Sequence, residues 1–149
     1  LNKQGELISR NSRMSQITEN EELLEYDKIQ VKELVSNYGP IDVIFFDAFK
    51  TTPIVQYVHS LDPNIVVTRG EMETPEQSIP NTAMQGPWET CMTLGTQWQY
   101  KPTNESYKTG TELIEKLIEI RAKGGNFLMN VGPKPNGVIP IEQEERLRF

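Results

Sequence analysis

Four polar residues stand at or near the ends of strongly apolar segments, where an unpaired ionisable side chain would be costly. They are Asp47, Arg69, Glu89 and Asn130. If the apolar segments are parallel strands, their carboxyl ends form one edge, and catalytic groups gather at that edge in barrel enzymes. Two carboxylates there suit glycoside hydrolysis, in which one attacks or stabilises the anomeric carbon and the other protonates the leaving oxygen.

Each carboxylate also has a structural interpretation. Asp47 could cap the turn after its strand, since Asp is common at such positions. Glu89 could be a core carboxylate paired with an arginine such as Arg69. The residues alone leave the catalytic and the structural interpretations open.

Two loops carry further candidates. The loop after Arg69 contains Glu71, Glu73 and Glu76, and any of these carboxylates could face the same edge. Trp98 lies in an aromatic-rich loop, where it could stack on a sugar ring or pack beneath the loop.

Composition disfavours several other chemistries. The 149 residues contain 15 Lys and Arg against 21 Asp and Glu, and the net charge of −6 argues against a nucleic-acid partner. One cysteine, Cys91, and one histidine, His59, argue against an internal disulfide and a His-rich metal site. No segment approaches the roughly 20 apolar residues that cross a bilayer, so no membrane span is predicted.

The elements that must position these residues follow an α/β order. A capping box at Thr18 and Glu21 starts a first helix, which ends at Gly39-Pro40. Further helices are predicted over 53–60, between Thr109 and Gly124 and from 141 onward, and strands over 41–46, 65–68, 88–94 and 127–131. The first two strands lack polar alternation, which predicts burial on both faces, as in a helix-covered parallel sheet.

Two arrangements fit this order: an open, doubly wound sheet, or a partial (β/α)8 barrel with about four parallel strands and crossover helices. The first strand-to-helix turn lacks the glycine-rich fingerprint of nucleotide-binding sheets. The segment from Gly132 to Gly137 is only loosely similar to a phosphate loop, because its two prolines remove N–H groups that such a loop needs.

Three segments resemble sequence motifs of the α-L-fucosidases, glycoside hydrolase family 29. Tyr38 to Asp47 resembles the segment around the family's nucleophile, and Trp88 to Thr93 resembles its Trp-Glu-x-Cys segment. Lys123 to Pro133 resembles its Lys-Gly-Gly-Asn-Leu-Leu-Leu-Asn-Val-Gly-Pro string. The three segments occur in the family's order and spacing, and the resemblance covers about residues 26–149.

The resemblance implies a retaining exo-glycosidase on a (β/α)8-like barrel that hydrolyses terminal α-L-fucose from glycans without a cofactor or a metal. It implies that Asp47 is the nucleophile and that Glu89 is the acid/base. Glu71 and Glu73 are fallbacks for the acid/base role, because that position varies more than the nucleophile. Arg69 matches an arginine that helps bind fucose.

The resemblance also implies two aromatic substrate contacts, Phe45 and Trp98, and both fall where this sequence departs from the family. The family's Trp-x-Asp-Gly is Phe45 to Ala48 here, and its Ser-Trp-Gly-Tyr is Gln97 to Tyr100. These departures bear on sugar fit and substrate range. The alternative function is therefore a non-catalytic fucose-binding or structural relative that has lost turnover.

Residues 1–149 are interpreted as the second half of a catalytic barrel, truncated at both ends. Only four strands are predicted, and the family's fucose-binding histidines belong to the first half of its barrel. The missing N-terminal half would then be the partner of this chain, and the 149 residues alone would be inactive. The resemblance favours a secreted or periplasmic location.

Overall fold

The computed structural model describes residues 21–47, 52–69 and 71–149, so Thr18 lies outside the described part. Its helices α1 to α4 and strands β1 to β4 correspond to the predicted elements. The helices span Glu21–Asn37, Thr52–Leu61, Gly110–Ala122 and Ile141–Arg148. The strands span Val43–Phe45, Val66–Thr68, Trp88–Thr93 and Gly125–Asn130. The chain divides into two compact units, Leu1–Met72 and Glu73–Phe149.

In the first unit, β1 and β2 form a two-stranded parallel sheet, with Val43 opposite Val66 and Phe45 opposite Thr68. Helix α2 connects the two strands, as a parallel pair requires. The two helices and the strands share one core, formed by Val31, Ile54, Val58, Ile65 and Val67.

The prediction that β1 is buried on both faces is wrong. Ile44 and Phe46 pack against the core, whereas Val43 and Phe45 point to the other face and are 54% and 36% exposed. Successive side chains of a strand point to opposite faces, and the described helices of this unit cover one face of the sheet. The unbroken apolar sequence of β1 is therefore compatible with burial of both faces of the strand. It does not specify which elements of the protein cover each face.

In the second unit, β3 and β4 pair in parallel over six residues, from Trp88 opposite Gly125 to Thr93 opposite Asn130. Helix α3 connects them and begins at a capping box formed by Thr109 and Glu112. The Thr109 hydroxyl accepts the N–H of Glu112 at 3.2 Å, and the Glu112 carboxylate accepts the N–H of Thr109 at 2.7 Å. These hydrogen bonds, the one from the Thr109 backbone above all, lower the pKa of Glu112. The fold is α/β with short parallel sheets.

The segment 73–77, predicted only as a loop, runs parallel to β3 along the edge that β4 leaves unpaired. The N–H groups of Glu89 and Cys91 donate to the carbonyls of Glu73 and Pro75, at 3.0 and 3.1 Å, and the N–H of Gln77 donates to Cys91 at 2.9 Å. β3 is thus hydrogen-bonded on both sides, and all six of its residues are buried.

A buried glutamine, Gln143, attaches α4 to the end of β4. Its Oε1 accepts the N–H of Gly132 at 2.9 Å, and its Nε2 donates to the Gly132 carbonyl and the Tyr107 hydroxyl, both at 3.2 Å. The side chain thereby satisfies two backbone groups that would otherwise be unpaired in the interior.

We expect Gln143→Leu to lower the free energy of unfolding by roughly 2–4 kcal/mol, because it leaves two buried backbone groups without partners at nearly constant volume. Urea unfolding of the full-length protein measures this effect. Glu145→Ala, at an exposed position of the same helix, is the matched control and should change stability by less than about 0.5 kcal/mol. Equal effects would show that the Gln143 hydrogen bonds do not hold the helix.

Candidate active site

The carboxyl ends of β1 and β2 bring Asp47, Arg69 and Phe45 together. Nη1 of Arg69 donates to Oδ1 of Asp47 at 2.8 Å, and the Asp47 side chain is 75% exposed. The guanidinium carbon lies 5.8 Å from the centroid of the Phe45 ring, within the range of a cation–π contact. The arrangement presents an accessible carboxylate, fixed by a cation, beside an aromatic wall.

Arg69 adopts a strained backbone conformation, with φ at +56°, which costs a non-glycine residue roughly 1–2 kcal/mol. The chain turns sharply here, since the N–H groups of Glu71 and Met72 both donate to the carbonyl of Val67, at 3.2 and 3.1 Å. Strain of this kind collects at functional sites. Here it accompanies the turn that directs the guanidinium toward Asp47.

The chain's one histidine, His59, contacts one of the loop glutamates. Its Nε2 lies 2.8 Å from Oε2 of Glu71. The Glu71 side chain is nevertheless mostly exposed. The first fallback for the acid/base is thus held on one side by an imidazole from α2.

Glu89 does not lie where the sequence predicted it. It is the second residue of β3, at the amino end, whereas Asn130 is at the carboxyl end of the neighbouring β4. Thr93, the last residue of β3, is four residue steps beyond Glu89, which corresponds to roughly 13 Å along the strand. The strand was predicted over 88–94 and spans Trp88–Thr93, so its bounds were nearly right and the error was to expect Glu89 at its carboxyl end.

The environment of Glu89 is that of a buried, paired carboxylate. The residue is 7% exposed, and its Oε2 accepts a hydrogen bond of 2.6 Å from Nδ2 of Asn126. The partner predicted for a structural Glu89 was Arg69, whereas the structure pairs Glu89 with Asn126 and Arg69 with Asp47. Asn126 was missed, although its place as second residue of its strand matches that of Glu89.

The carboxyl ends of β3 and β4 carry the second set of predicted residues. Asn130 accepts the N–H of Leu94 through its carbonyl at 3.2 Å, and its side-chain amide donates to Val131 at 3.3 Å. Trp98, in the loop that follows β3, is 38% exposed. Lys108 closes this end by donating from Nζ to the Thr93 carbonyl, and burial lowers its pKa. Sequence reasoning missed this lysine because it lies in a polar loop.

The described residues contain no group of three or more His, Cys, Asp or Glu side chains arranged to hold a metal ion. Within the same ranges, none of the helices has the length and apolar character needed to cross a membrane.

Comparison with known proteins identifies the family. The family model described as Alpha-L-fucosidase matches residues 3–149. The chain belongs to this family. It is 43% identical over 144 residues to the plasma alpha-L-fucosidase of Rattus norvegicus. This match covers 80% of the present chain and 31% of the rat protein.

Solved structures of the same family are similar in fold. Alpha-L-fucosidase isoenzyme 1 from Paenibacillus thiaminolyticus superimposes with a TM-score of 0.75 at 32% identity, covering 84% of this chain and 37% of that one. Thermotoga maritima alpha-fucosidase in complex with fucose gives a TM-score of 0.68 at 30% identity, covering 86% and 32%. The chain therefore spans about a third of the length of these α-L-fucosidases.

Two of the fucosidase-like segments contact each other through the β3–β4 register. The indole of Trp88 lies against Gly125, where a Cβ would be 2.4–2.6 Å from ring atoms, and its Nε1 donates to the Lys123 carbonyl at 3.1 Å. The next pair in the register is Glu89 and Asn126. The glycine is thus needed for the close approach of the buried tryptophan, and both segments serve packing at this end of the sheet.

Proposed function

We propose that the full-length protein containing this chain is a retaining exo-α-L-fucosidase that hydrolyses terminal α-L-fucose from glycans. The observation that carries the proposal is the contact of Asp47 with Arg69 beside Phe45, at the carboxyl ends of adjacent parallel strands, in a chain of the α-L-fucosidase family. The proposal is supported by the solved relative from Thermotoga maritima, which was determined in complex with fucose.

In this proposal, Asp47 is the nucleophile that attacks the anomeric carbon. Its exposed carboxylate is open to a substrate, and the hydrogen bond from Arg69 fixes its orientation. Phe45 offers an apolar surface suited to the C6 methyl group that distinguishes fucose from other hexoses.

The acid/base requires a carboxyl group that reaches the glycosidic oxygen, about 5–5.5 Å from the nucleophile in a retaining site. The family resemblance assigns this role to Glu89, but its burial, its bond to Asn126 and its place at the amino end of β3 favour a structural role. The segment after Arg69 instead offers the exposed Glu71, which lies in the same compact unit as Asp47. We therefore propose that the acid/base belongs to this segment.

The extent of the chain forms part of the same proposal. The chain matches about a third of the length of its relatives, and we propose that residues 1–149 form the second half of a catalytic (β/α)8 barrel. The N-terminal half of that barrel would supply the remaining strands and would complete the sugar pocket. The exposed face of β1 and β2, with Val43, Phe45 and Val66, is consistent with further covering elements.

The function is tested by incubating the full-length protein with 4-nitrophenyl α-L-fucoside and following the anomeric protons by NMR. We expect α-L-fucose as the first product, because two successive displacements restore the configuration. The 4-nitrophenyl β-L-fucoside is the control and should not be hydrolysed. Initial release of β-L-fucose would show that the enzyme inverts the anomeric configuration and would contradict the retaining mechanism. Binding of fucose without any turnover would instead support the non-catalytic alternative.

A further inference from the structure

The loop that carries Trp98 is closed by its own hydrogen bonds. This aromatic loop, residues 94–109, leaves the carboxyl end of β3 and returns to the start of α3. Its two ends meet where the N–H of Lys108 donates to the carbonyl of Leu94 at 2.9 Å. Residues 96–99 are exposed at its tip. Loops of this type, whose ends are close and whose interior is packed by their own side chains, frequently carry function.

The carboxylate of Glu105 joins the outgoing and the returning halves of the aromatic loop. Its Oε1 accepts the N–H of Thr96 at 2.8 Å and the N–H of Ser106 at 2.9 Å. Burial alone would raise the pKa of Glu105, but these hydrogen bonds outweigh it and lower the pKa. A Cβ on Gly95 would lie 2.8 Å from Cδ of Glu105, so the carboxylate occupies a place shaped to receive it.

The surrounding residues fix the same conformation. Asn104 has a φ of +54°, and its carbonyl accepts a hydrogen bond of 2.8 Å from Nζ of Lys101. On the other side, a Cβ on Gly132 would lie 2.8 Å from the backbone nitrogen of Tyr100. The tip that holds Trp98 is therefore set between the Glu105 hydrogen bonds and the backbone at the end of β4.

We propose that Glu105 is a positioning residue that fixes the aromatic loop and thereby presents Trp98 to the glycan. This inference rests on the proposed fucosidase function, because it requires a sugar at the carboxyl ends of the strands. Glu105 acts through the backbone of Thr96, two residues before Trp98. Without its carboxylate, the Thr96 N–H turns to water and the tip loses its fixed orientation, while the groups that perform the chemistry remain in place.

The experiment compares Glu105→Ala, Glu105→Gln and Glu115→Ala in the full-length protein. Glu115→Ala, at an exposed position of α3, is the matched control. Glu105→Ala should raise KM for 4-nitrophenyl α-L-fucoside roughly ten-fold, the equivalent of about 1.4 kcal/mol, with kcat within about two-fold. Glu105→Gln should retain a KM near that of the wild type, because its amide oxygen can accept both N–H groups.

Amide hydrogen exchange of the aromatic loop separates this inference from the function. Glu105→Ala should lose protection at Thr96 and Ser106, whereas Glu105→Gln and Glu115→Ala should keep it. An active wild type whose KM is unchanged in Glu105→Ala would overturn the inference, as would unchanged protection. A wild type without fucosidase turnover would overturn the proposed function, while exchange would still decide whether Glu105 fixes the loop.

Discussion

Asp47→Ala should lower kcat for 4-nitrophenyl α-L-fucoside by roughly 10³-fold or more in the full-length protein, since no nucleophile remains to form the fucosyl-enzyme. A good leaving group should not restore turnover, because the missing step is the attack and not the protonation. Asp42→Ala is the matched control. Asp42 is exposed just before β1, at the opposite end of the strand from Asp47, and its loss should leave kcat nearly unchanged.

Azide distinguishes loss of the nucleophile from a general loss of structure. A small anion in the space vacated by the Asp47 carboxylate should attack the anomeric carbon once, so Asp47→Ala should yield β-fucosyl azide from the α-fucoside. The anomeric coupling constant in the NMR spectrum identifies the product. Substantial turnover of Asp47→Ala without azide, or equal losses in Asp42→Ala, would remove Asp47 from the nucleophile's role.

The second large effect identifies the acid/base. Alanine variants of Glu71, Glu73, Glu76 and Glu89 are compared on an activated aryl fucoside and on an unactivated fucosylated glycan. The acid/base variant should lose roughly 10²–10⁴-fold on the glycan, because the leaving oxygen needs a proton. Its first step on the aryl fucoside should be largely spared, and we expect this pattern in one variant of the segment after Arg69.

Azide again provides the decisive readout. In the acid/base variant, Asp47 still forms the fucosyl-enzyme, and azide attacks it in place of activated water. The two displacements retain configuration, so the product should be α-fucosyl azide. Glu89→Ala should instead lose stability, because the Asn126 amide loses its buried partner. Rescue of Glu89→Ala by azide would restore the assignment made from the sequence and would overturn the structural role that we propose.

Much of the fold was accessible from the sequence because local rules and the global fold agree. The capping box at Thr109 and Glu112 defines the start of α3 by hydrogen bonds between residues three apart. The meeting of Asp47 and Arg69 was also predictable in outline. Both follow short apolar strands, and parallel neighbours end at the same edge, so two local signals placed both residues at that edge. Their 2.8 Å hydrogen bond is a finding of the structure.

Other features depended on contacts between residues distant in sequence. The register of β3 against β4 places Glu89 beside Asn126, 37 residues away, and no local pattern in a fully buried strand specifies which residue of the neighbouring strand it meets. The exposed face of β1 likewise depends on which elements pack against it, and not on its own apolar residues.

What the sequence by itself determined about this protein is its α/β class, its family motifs and the placement of Asp47 and Arg69 at one edge of a parallel sheet. Only the tertiary structure decided the roles of its isolated polar residues. Gln143 and Glu105 look like ordinary surface residues in the sequence, yet the side chain of each hydrogen-bonds two backbone groups. A side chain's hydrogen-bonding capacity is fixed by its type, but its partners are fixed by the fold.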